Sequence, residues 1–207
     1  MRDRSTIDGI LAAAEIEFAT NGFAGARVDR IAERAGVNKA TLYYRIGDKQ
    51  QIYATVLRST IDRVLVSLRE AVVAANSPQD RIRSLVAILA GTARANPHFP
   101  SLMLREIAGG GGTLPPQVAD RFAEAVTVVA GILRDGADNG SFRRTDPLLT
   151  HMMITGMILV LSAGTPLRKR MRSRLKMKSR TNEMIDDEFT EEVSRFVIAG
   201  LSKHRTT

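Results

Sequence analysis

Apolar residues recur at helical spacing along most of this chain, and no stretch shows the sustained apolar–polar alternation of a strand. Ile7, Ile10, Leu11, Ala14 and Phe18 form a first apolar stripe. The pattern predicts an all-α protein. Its helices are expected to begin near Ser5, Val28, Asn38, Asp48, Ser77, Ser101, Leu114, Asp146 and Asp187.

Glycine and capping residues indicate where the first helices end and begin. Asn21-Gly22-Phe23 is expected to stop the first helix, and Ser5 to cap its start. Gly36 suits the left-handed position after a second helix over 28–35, and Asn38 suits the N-cap of a short third helix. Three short helices with a tight glycine turn between the second and third predict a helix-turn-helix.

The third helix separates into two faces when its residues are placed about 100° apart. Lys39, Ala40, Tyr43 and Tyr44 share one arc, whereas Leu42 lies on another and can pack inward. An outward face of this kind suits a major groove, where a lysine donates to guanine and hydroxyl groups donate to phosphates. A generic helical hairpin with surface tyrosines is the alternative interpretation.

The segment "RVDRIAERAGVNKATLYYRIGDKQQIYATVL", with "ILAAAEIEFATNGF" before it, resembles the N-terminal domain of TetR-type repressors over about residues 5–57. The resemblance implies an all-α homodimer that binds double-stranded DNA. It also implies DNA contacts from one set of residues: Asn38, Lys39, Ala40, Thr41, Tyr43, Tyr44 and, on a phosphate, Lys49. Lys49 follows Asp48, the expected cap of the fourth helix, whose N-terminal N–H groups suit an anion.

Three positions depart from the pattern of that family. Arg27 replaces the usual Thr or Ser, so the cap of the second helix is lost although Arg27 can bind phosphate. Arg45-Ile46 replaces His-Phe, and Gly47 is expected to loosen the turn before Lys49.

Net charge does not locate the DNA-binding face. The formal charge is +8, but residues 168–180 alone hold eight Lys/Arg and no acid. This basic run is interpreted as a solvated loop between two helices, and a patch for phosphate or an acidic partner is the alternative.

Enzyme chemistry has little support in the sequence. The chain has no cysteine, no G-x-S-x-G motif, and histidines only at 98, 151 and 204, which excludes thiolate sites and familiar metal spacings. We therefore predict no enzyme, no cofactor and no bound metal. The absence of cysteine and of an apolar N-terminal stretch favours a cytoplasmic location.

The apolar segment 148–167 has the length of a membrane span, but His151, four Ser/Thr and a proline favour a buried or dimer-forming helix and no membrane contact. Phe99, Met103, His151, Met152 and Thr155 are candidates for an adaptable effector pocket. A satisfied core imidazole and ordinary core packing are the alternatives. The candidates for a two-fold dimer seam are Gly156, Ala163, Gly164 and Phe196.

These features together predict a DNA-binding domain over 1–58 and a helical ligand-binding and dimerisation domain over 59–207. The predicted function is a dimeric, ligand-responsive transcriptional regulator of a palindromic operator, most simply a repressor, with a small apolar effector. A DNA-binding or nucleoid-associated dimer without an effector has the same N-terminal half and is the alternative.

Overall fold

The computed structural model describes residues 2–176 and 186–203. Within these ranges the chain forms ten α-helices and one isolated β-bridge, between Phe142 and Ser202. The all-α prediction is therefore confirmed. The helices are α1 (Arg2–Gly25), α2 (Val28–Ala35), α3 (Lys39–Arg45), α4 (Lys49–Ala74), α5 (Pro78–Ala95), α6 (Phe99–Ala108), α7 (Pro116–Asp138), α8 (Pro147–Ala163), α9 (Thr165–Leu175) and α10 (Asp187–Leu201).

Most helix starts follow the predicted caps. The Ser77 hydroxyl accepts the Asp80 N–H at 3.1 Å, and the Asp146 carboxylate accepts the Leu149 N–H at 2.7 Å. The predicted cap at Ser5 is wrong, because α1 already begins at Arg2. The predicted break after α1 lies at Gly22, whose φ of 67° and ψ of 173° leave the helical region inside the span.

The prediction that the basic run 168–180 forms a loop is wrong for most of its described part. Residues 165–175 form α9, on which no residue is buried. Arginine has a high helix propensity, so a run of arginines does not by itself disfavour a helix. The rest of the run, 177–180, lies outside the described residues.

Two compact units divide the chain. The first contains residues up to Asp62 together with His98–Phe122. Within it α1 packs against α2 and α6, and the rings of Phe18, Phe23 and Tyr53 contact one another with centroids 4.8–6.2 Å apart. Burial of such large side chains contributes about 1.5–3 kcal/mol each to folding, and this cluster fixes the helices around the helix-turn-helix.

The second unit contains Arg63–Pro97 and the chain from Ala123 onward. In it α5 packs against α8 and α10, around a core that includes Ile82, Val86, Val129, Ile154 and Val197. The predicted division into a DNA-binding domain over 1–58 and a second domain over 59–207 stays a prediction.

No single helix among the described residues is long and apolar enough to cross a membrane. The helices α8 and α9 have the length and apolar composition of a span only when they are taken together, and they are bent by 68° relative to each other.

Candidate nucleic-acid interface

A left-handed glycine makes the turn between α2 and α3. Gly36 has φ 67° and ψ 27°, a conformation that glycine adopts without steric cost. The N–H of Gly36 donates to the Glu33 carbonyl, and the N–H of Val37 to the Ala32 carbonyl at 3.0 Å. These bonds satisfy the last carbonyls of α2 and turn the chain directly into α3, as the sequence predicted.

The α3 helix has the two faces that the sequence predicted. Leu42 is fully buried, while Lys39, Ala40 and Tyr43 are exposed and Tyr44 is 86% exposed. A tyrosine presents an apolar ring and a polar hydroxyl, so two exposed tyrosines suit an interface of mixed polarity. The outward face of α3 is therefore accessible for contact with a DNA groove.

Asn38 fixes the start of this helix. Its Oδ1 accepts the Thr41 N–H at 2.7 Å, which confirms the predicted N-cap. Thr41 itself is half-buried, and the Arg45 guanidinium lies 5.8 Å from the centroid of the Tyr44 ring. Backbone and side-chain contacts thus orient the two ends of α3 before any partner binds.

Lys39 makes an ion pair that the sequence did not predict. Its Nζ lies 2.8 Å from Oδ1 of Asp29 on α2, and both side chains are at least half exposed. The hydrogen bond between them, followed by their Coulomb attraction, raises the pKa of Lys39 and lowers the pKa of Asp29. Asp29 therefore holds the ammonium at one side of the recognition face in the absence of DNA.

Arg27 lies at the N-cap of α2 without a side-chain capping bond, which confirms the predicted loss of that cap. Its backbone N–H donates instead to Oε1 of Glu17 at 3.1 Å, and Glu17 is only 3% exposed. This buried carboxylate on α1 fixes the residue before α2 but does not replace the missing hydroxyl, which would accept an N–H from the first turn of α2. The Arg27 side chain is exposed, and its phosphate contact stays a prediction.

The turn between α3 and α4 is a reciprocal capping box. The Asp48 carboxylate accepts the Gln51 N–H, and the Gln51 side-chain oxygen accepts the Asp48 N–H, both at 2.8 Å. The expectation that Gly47 loosens this turn is wrong. Gly47 has φ 112°, and a Cβ there would lie 1.8 Å from the Gln51 oxygen, so the box requires glycine at this position.

Lys49 does not extend freely from the N-terminus of α4. Its ammonium donates to the Ala24 carbonyl at 3.2 Å and lies 5.0 Å from the centroid of the Phe23 ring. One carbonyl uses one of its three N–H groups. The predicted phosphate contact stays a prediction and would share the ammonium with the end of α1.

The predicted effector-pocket residues fall into separate parts of the chain. Phe99 and Met103 are buried on α6 in the first unit. His151, Met152 and Thr155 lie on α8 in the second unit, where His151 is 9% exposed and Met152 is 55% exposed. An open cavity of about 430 Å³ in the second unit lies along α8 and α10, and none of these five residues lines it.

His151 differs from the satisfied imidazole that served as the alternative interpretation. Its Nδ1 is buried without a hydrogen-bond partner, and so is the hydroxyl oxygen of Thr155 one turn later on the same face. Other hydroxyls of α8 bond the carbonyl four residues back, as Thr150 does to Asp146. Burial lowers the pKa of His151, so its imidazole is neutral near pH 7.

The predicted seam residues differ in their environments. Phe196 is 71% exposed, and a Cβ on Gly156 would meet no atom within 4 Å. A Cβ on Gly164 would lie 2.6 Å from the Val160 carbonyl, so the end of α8 alone explains that glycine. Ala163 is half-buried.

A buried polar cluster in the first unit escaped the sequence reading. Oε1 of Glu106 on α6 accepts hydrogen bonds from the hydroxyls of Tyr53 and Thr113, while Oε2 is buried without a partner. Burial, and next the hydrogen bond to Glu106, raise the pKa of Tyr53. The sequence did not predict this cluster, because no local pattern links positions 53, 106 and 113.

The class of helix-turn-helix regulatory proteins is defined by a glycine turn and a capped short helix with an exposed face, here carrying a lysine and two tyrosines. In the described part of this chain the other elements are helices as well. Residues 10–56 match the family described as bacterial regulatory proteins, tetR family, and residues 78–191 match the tetracyclin repressor-like C-terminal domain. The chain belongs to the TetR family.

Curated relatives match part of the chain. The HTH-type transcriptional repressor SCO4008 of Streptomyces coelicolor is 33% identical over 63% of this chain, and the match covers 64% of SCO4008. The HTH-type transcriptional activator FasR of Mycolicibacterium smegmatis is 33% identical over 41% of this chain and 38% of its own length. The chain thus spans less than two thirds of these two relatives.

Solved structures agree with the fold over nearly the whole chain. The fatty acid degradation regulator FadR of Bacillus halodurans superposes with a TM-score of 0.75 at 18% identity, covering 95% of this chain and 96% of FadR. The ketosteroid regulator KstR2 of Mycobacterium tuberculosis gives 0.73 at 19% identity, covering 96% and 95%. At these identities the similarity concerns the fold alone.

Proposed function

We propose that this chain is a dimeric, ligand-responsive transcriptional regulator that binds a palindromic operator and represses transcription. The observation that carries the proposal is the exposed face of α3, with Lys39, Tyr43 and Tyr44 directed away from the buried Leu42. A lysine donates to guanine O6 and N7 in the major groove, and tyrosine hydroxyls donate to phosphates.

Two-fold pairing of the chain is supported by unsatisfied apolar surface in the second unit. More than half of each of several large side chains on α8 and α10 is exposed: Leu148, Leu149, Met152, Met153, Val160 and Phe196. A face of this kind suits a four-helix seam between two copies. Two α3 helices would then enter major grooves about 34–36 Å apart.

A small effector is supported by His151 and Thr155. Two buried polar atoms without partners lie on one face of an otherwise apolar helix, and such atoms cost about 1–3 kcal/mol each unless another group bonds them. A mainly apolar molecule with a hydrogen-bonding group would satisfy them. It would release DNA only by binding the DNA-incompetent state more tightly.

Selection of duplexes from a random pool at defined salt tests DNA recognition. We expect an inverted repeat whose half-sites are about one helical turn apart. An unselective pool, or a single unrepeated site, contradicts operator binding by a dimer. Reporter transcription from the recovered site then separates repression from activation, since FasR is a transcriptional activator.

A thermal-shift screen of apolar compounds tests the effector, because a ligand that binds the native state raises its stability by mass action. A hit should lose its effect in a His151→Leu, Thr155→Val double variant. A screen without hits, while DNA is bound tightly, favours a DNA-binding dimer without an effector.

A further inference from the structure

The α9 helix contacts the end of α8, where the Arg168 guanidinium donates to the Leu161 carbonyl, but the described residues do not cover its large apolar side chains. It is 11 residues long and buries no residue, and helices of this length are marginal in water unless they pack against something. Leu167, Met171 and Leu175 are each more than half exposed. A surface that covers them is required.

The residues of α9 are sorted around its axis. At about 100° per residue, Leu167, Met171 and Leu175 fall within an arc of roughly 80°. Arg170 and Arg174 border this arc on one side, and Lys169 and Lys176 lie on the far face. Residues 168–176 contain six cations and no acid. The covering surface should therefore be apolar at its centre and acidic around it.

The start of α10 has the complementary character. Residues 186–192 contain five acids and no base. Glu188, Glu192 and Phe196 follow one another at four-residue spacing, and all three are exposed, on a face about 120° around α10 from buried Val193 and Val197. Arg195 lies on the same face and pairs with Glu192 at 3.1 Å, which leaves the face with a net negative charge. One exposed aromatic with carboxylates on the same face matches an apolar stripe bordered by arginines.

We infer that α9 of one protomer docks on the exposed face of α10 of a second copy of this chain, and that the contact is exchanged reciprocally across the dimer. The inference rests on the proposed homodimer. Among the described residues, neither the apolar side chains of α9 nor Phe196 on α10 is covered, so these surfaces are open to a second copy. A DNA duplex offers phosphates but no apolar surface for Leu167, Met171 and Leu175.

A charge exchange between two variants tests the contact. One chain carries Arg170→Glu with Arg174→Glu, and the other carries Glu188→Lys with Glu192→Lys. Each homodimer then repeats a like-charge contact twice, whereas the mixed dimer restores two attractive contacts. We expect each homodimer Kd to rise at least tenfold in sedimentation experiments. Native mass spectrometry of an equimolar mixture should give more heterodimer than the half that random pairing produces.

Matched controls separate the possible outcomes. Lys169→Glu with Lys176→Glu makes the same change in net charge on the far face and should leave the Kd unchanged. Far-UV circular dichroism checks that every variant remains helical. Unchanged Kd values with random pairing overturn the α9–α10 contact but leave the dimer intact, whereas a monomeric wild-type chain overturns both proposals.

Vesicles test an anionic bilayer as the covering surface, because a bilayer likewise combines an apolar interior with negative charge at its surface. The chain is mixed with vesicles of phosphatidylglycerol and phosphatidylcholine. Binding that is lost with Arg170→Glu and Arg174→Glu, together with random pairing of the variants, would assign α9 to an anionic bilayer and overturn docking on a second copy.

Discussion

The Lys39 ammonium lies 2.8 Å from the Asp29 carboxylate, which joins the recognition helix to the helix before it. The two groups are exposed, so water and salt screen their attraction. The pair nevertheless sets the starting position of the one lysine on the outward face of α3. When α3 enters a groove, Lys39 either keeps its ion pair, which holds Asp29 close to the phosphates, or leaves Asp29 and donates to a base instead.

Replacement of Asp29 by Asn should tighten binding to unrelated duplex DNA. The change removes a negative charge near the phosphates and releases Lys39 from its partner. We expect roughly 2–10-fold tighter non-specific binding at low salt, with the difference shrinking as salt rises. Fluorescence anisotropy over a salt series measures it. Glu33→Gln removes an equal charge from α2 without touching the pair, and an equal effect there would argue against a role of the pair.

Lys39→Ala and Tyr43→Ala should each weaken operator binding while leaving thermal unfolding nearly unchanged. Each contact with a base edge or phosphate contributes about 1–3 kcal/mol, which corresponds to roughly 5–150-fold in Kd. Tyr53→Ala is the comparison, since the same loss from a fully buried ring should lower the melting temperature. Normal operator binding by both α3 variants would refute the assignment of the recognition helix.

Gly47→Ala should destabilise the fold by about 1–3 kcal/mol, because φ 112° is strained for alanine and its Cβ would collide with Gln51. Urea unfolding at constant m-value measures the loss. Gly9→Ala is the matched control, since a Cβ on that helical glycine meets no atom within 4 Å. That control should be neutral or stabilising by about 0.5–1 kcal/mol, and an equal loss at both positions would contradict the capping box.

Stability should decrease as the pH falls below about 6.5, the ordinary pKa of histidine. The folded chain holds His151 neutral by burial, so only the unfolded chain takes up this proton in that window. The slope for one proton approaches at most about 1.4 kcal/mol per pH unit. Urea unfolding at several pH values should show this slope and its loss in His151→Leu. His98→Gln, at an exposed site, should retain it.

Glu106→Leu should destabilise the first unit more than Glu106→Gln does. Leucine leaves the buried hydroxyl of Tyr53 without its acceptor, at about 1–3 kcal/mol, and removes the bond to the more exposed Thr113, whereas the amide oxygen of glutamine can still accept both. Denaturant midpoints measure the difference. Equal midpoints for the two variants would show that the hydrogen bonds contribute nothing.

Local signals predicted the fold well because they act within a few residues. Asn38, Ser77 and Asp146 cap the helices that follow them, and Gly36 ends α2, as their positions in the sequence indicate. Periodicity likewise separated Leu42 from Tyr44. Each of these features depends on one turn of backbone.

Contacts between distant residues were not predictable in the same way. Glu17 meets Arg27 and Lys49 meets Ala24 only after α1 has folded against its neighbours. The capping box could have been predicted, because Gln51 lies three residues after Asp48. That prediction would have corrected the interpretation of Gly47. The helix α9 was missed because its high density of positive charge was interpreted as a solvated loop, although Leu167, Met171 and Leu175 recur at helical spacing.

The bond from the Thr41 N–H to Oδ1 of Asn38 limits what the asparagine can recognise. The cap uses one of the two lone pairs of this oxygen and fixes the plane of the amide. Adenine presents both an acceptor and a donor in the major groove, so two-point pairing of Asn38 with adenine has to share the oxygen with the cap. The NH₂ group is not shared, and it suits a phosphate oxygen, N7 or O6 of a purine, or O4 of thymine.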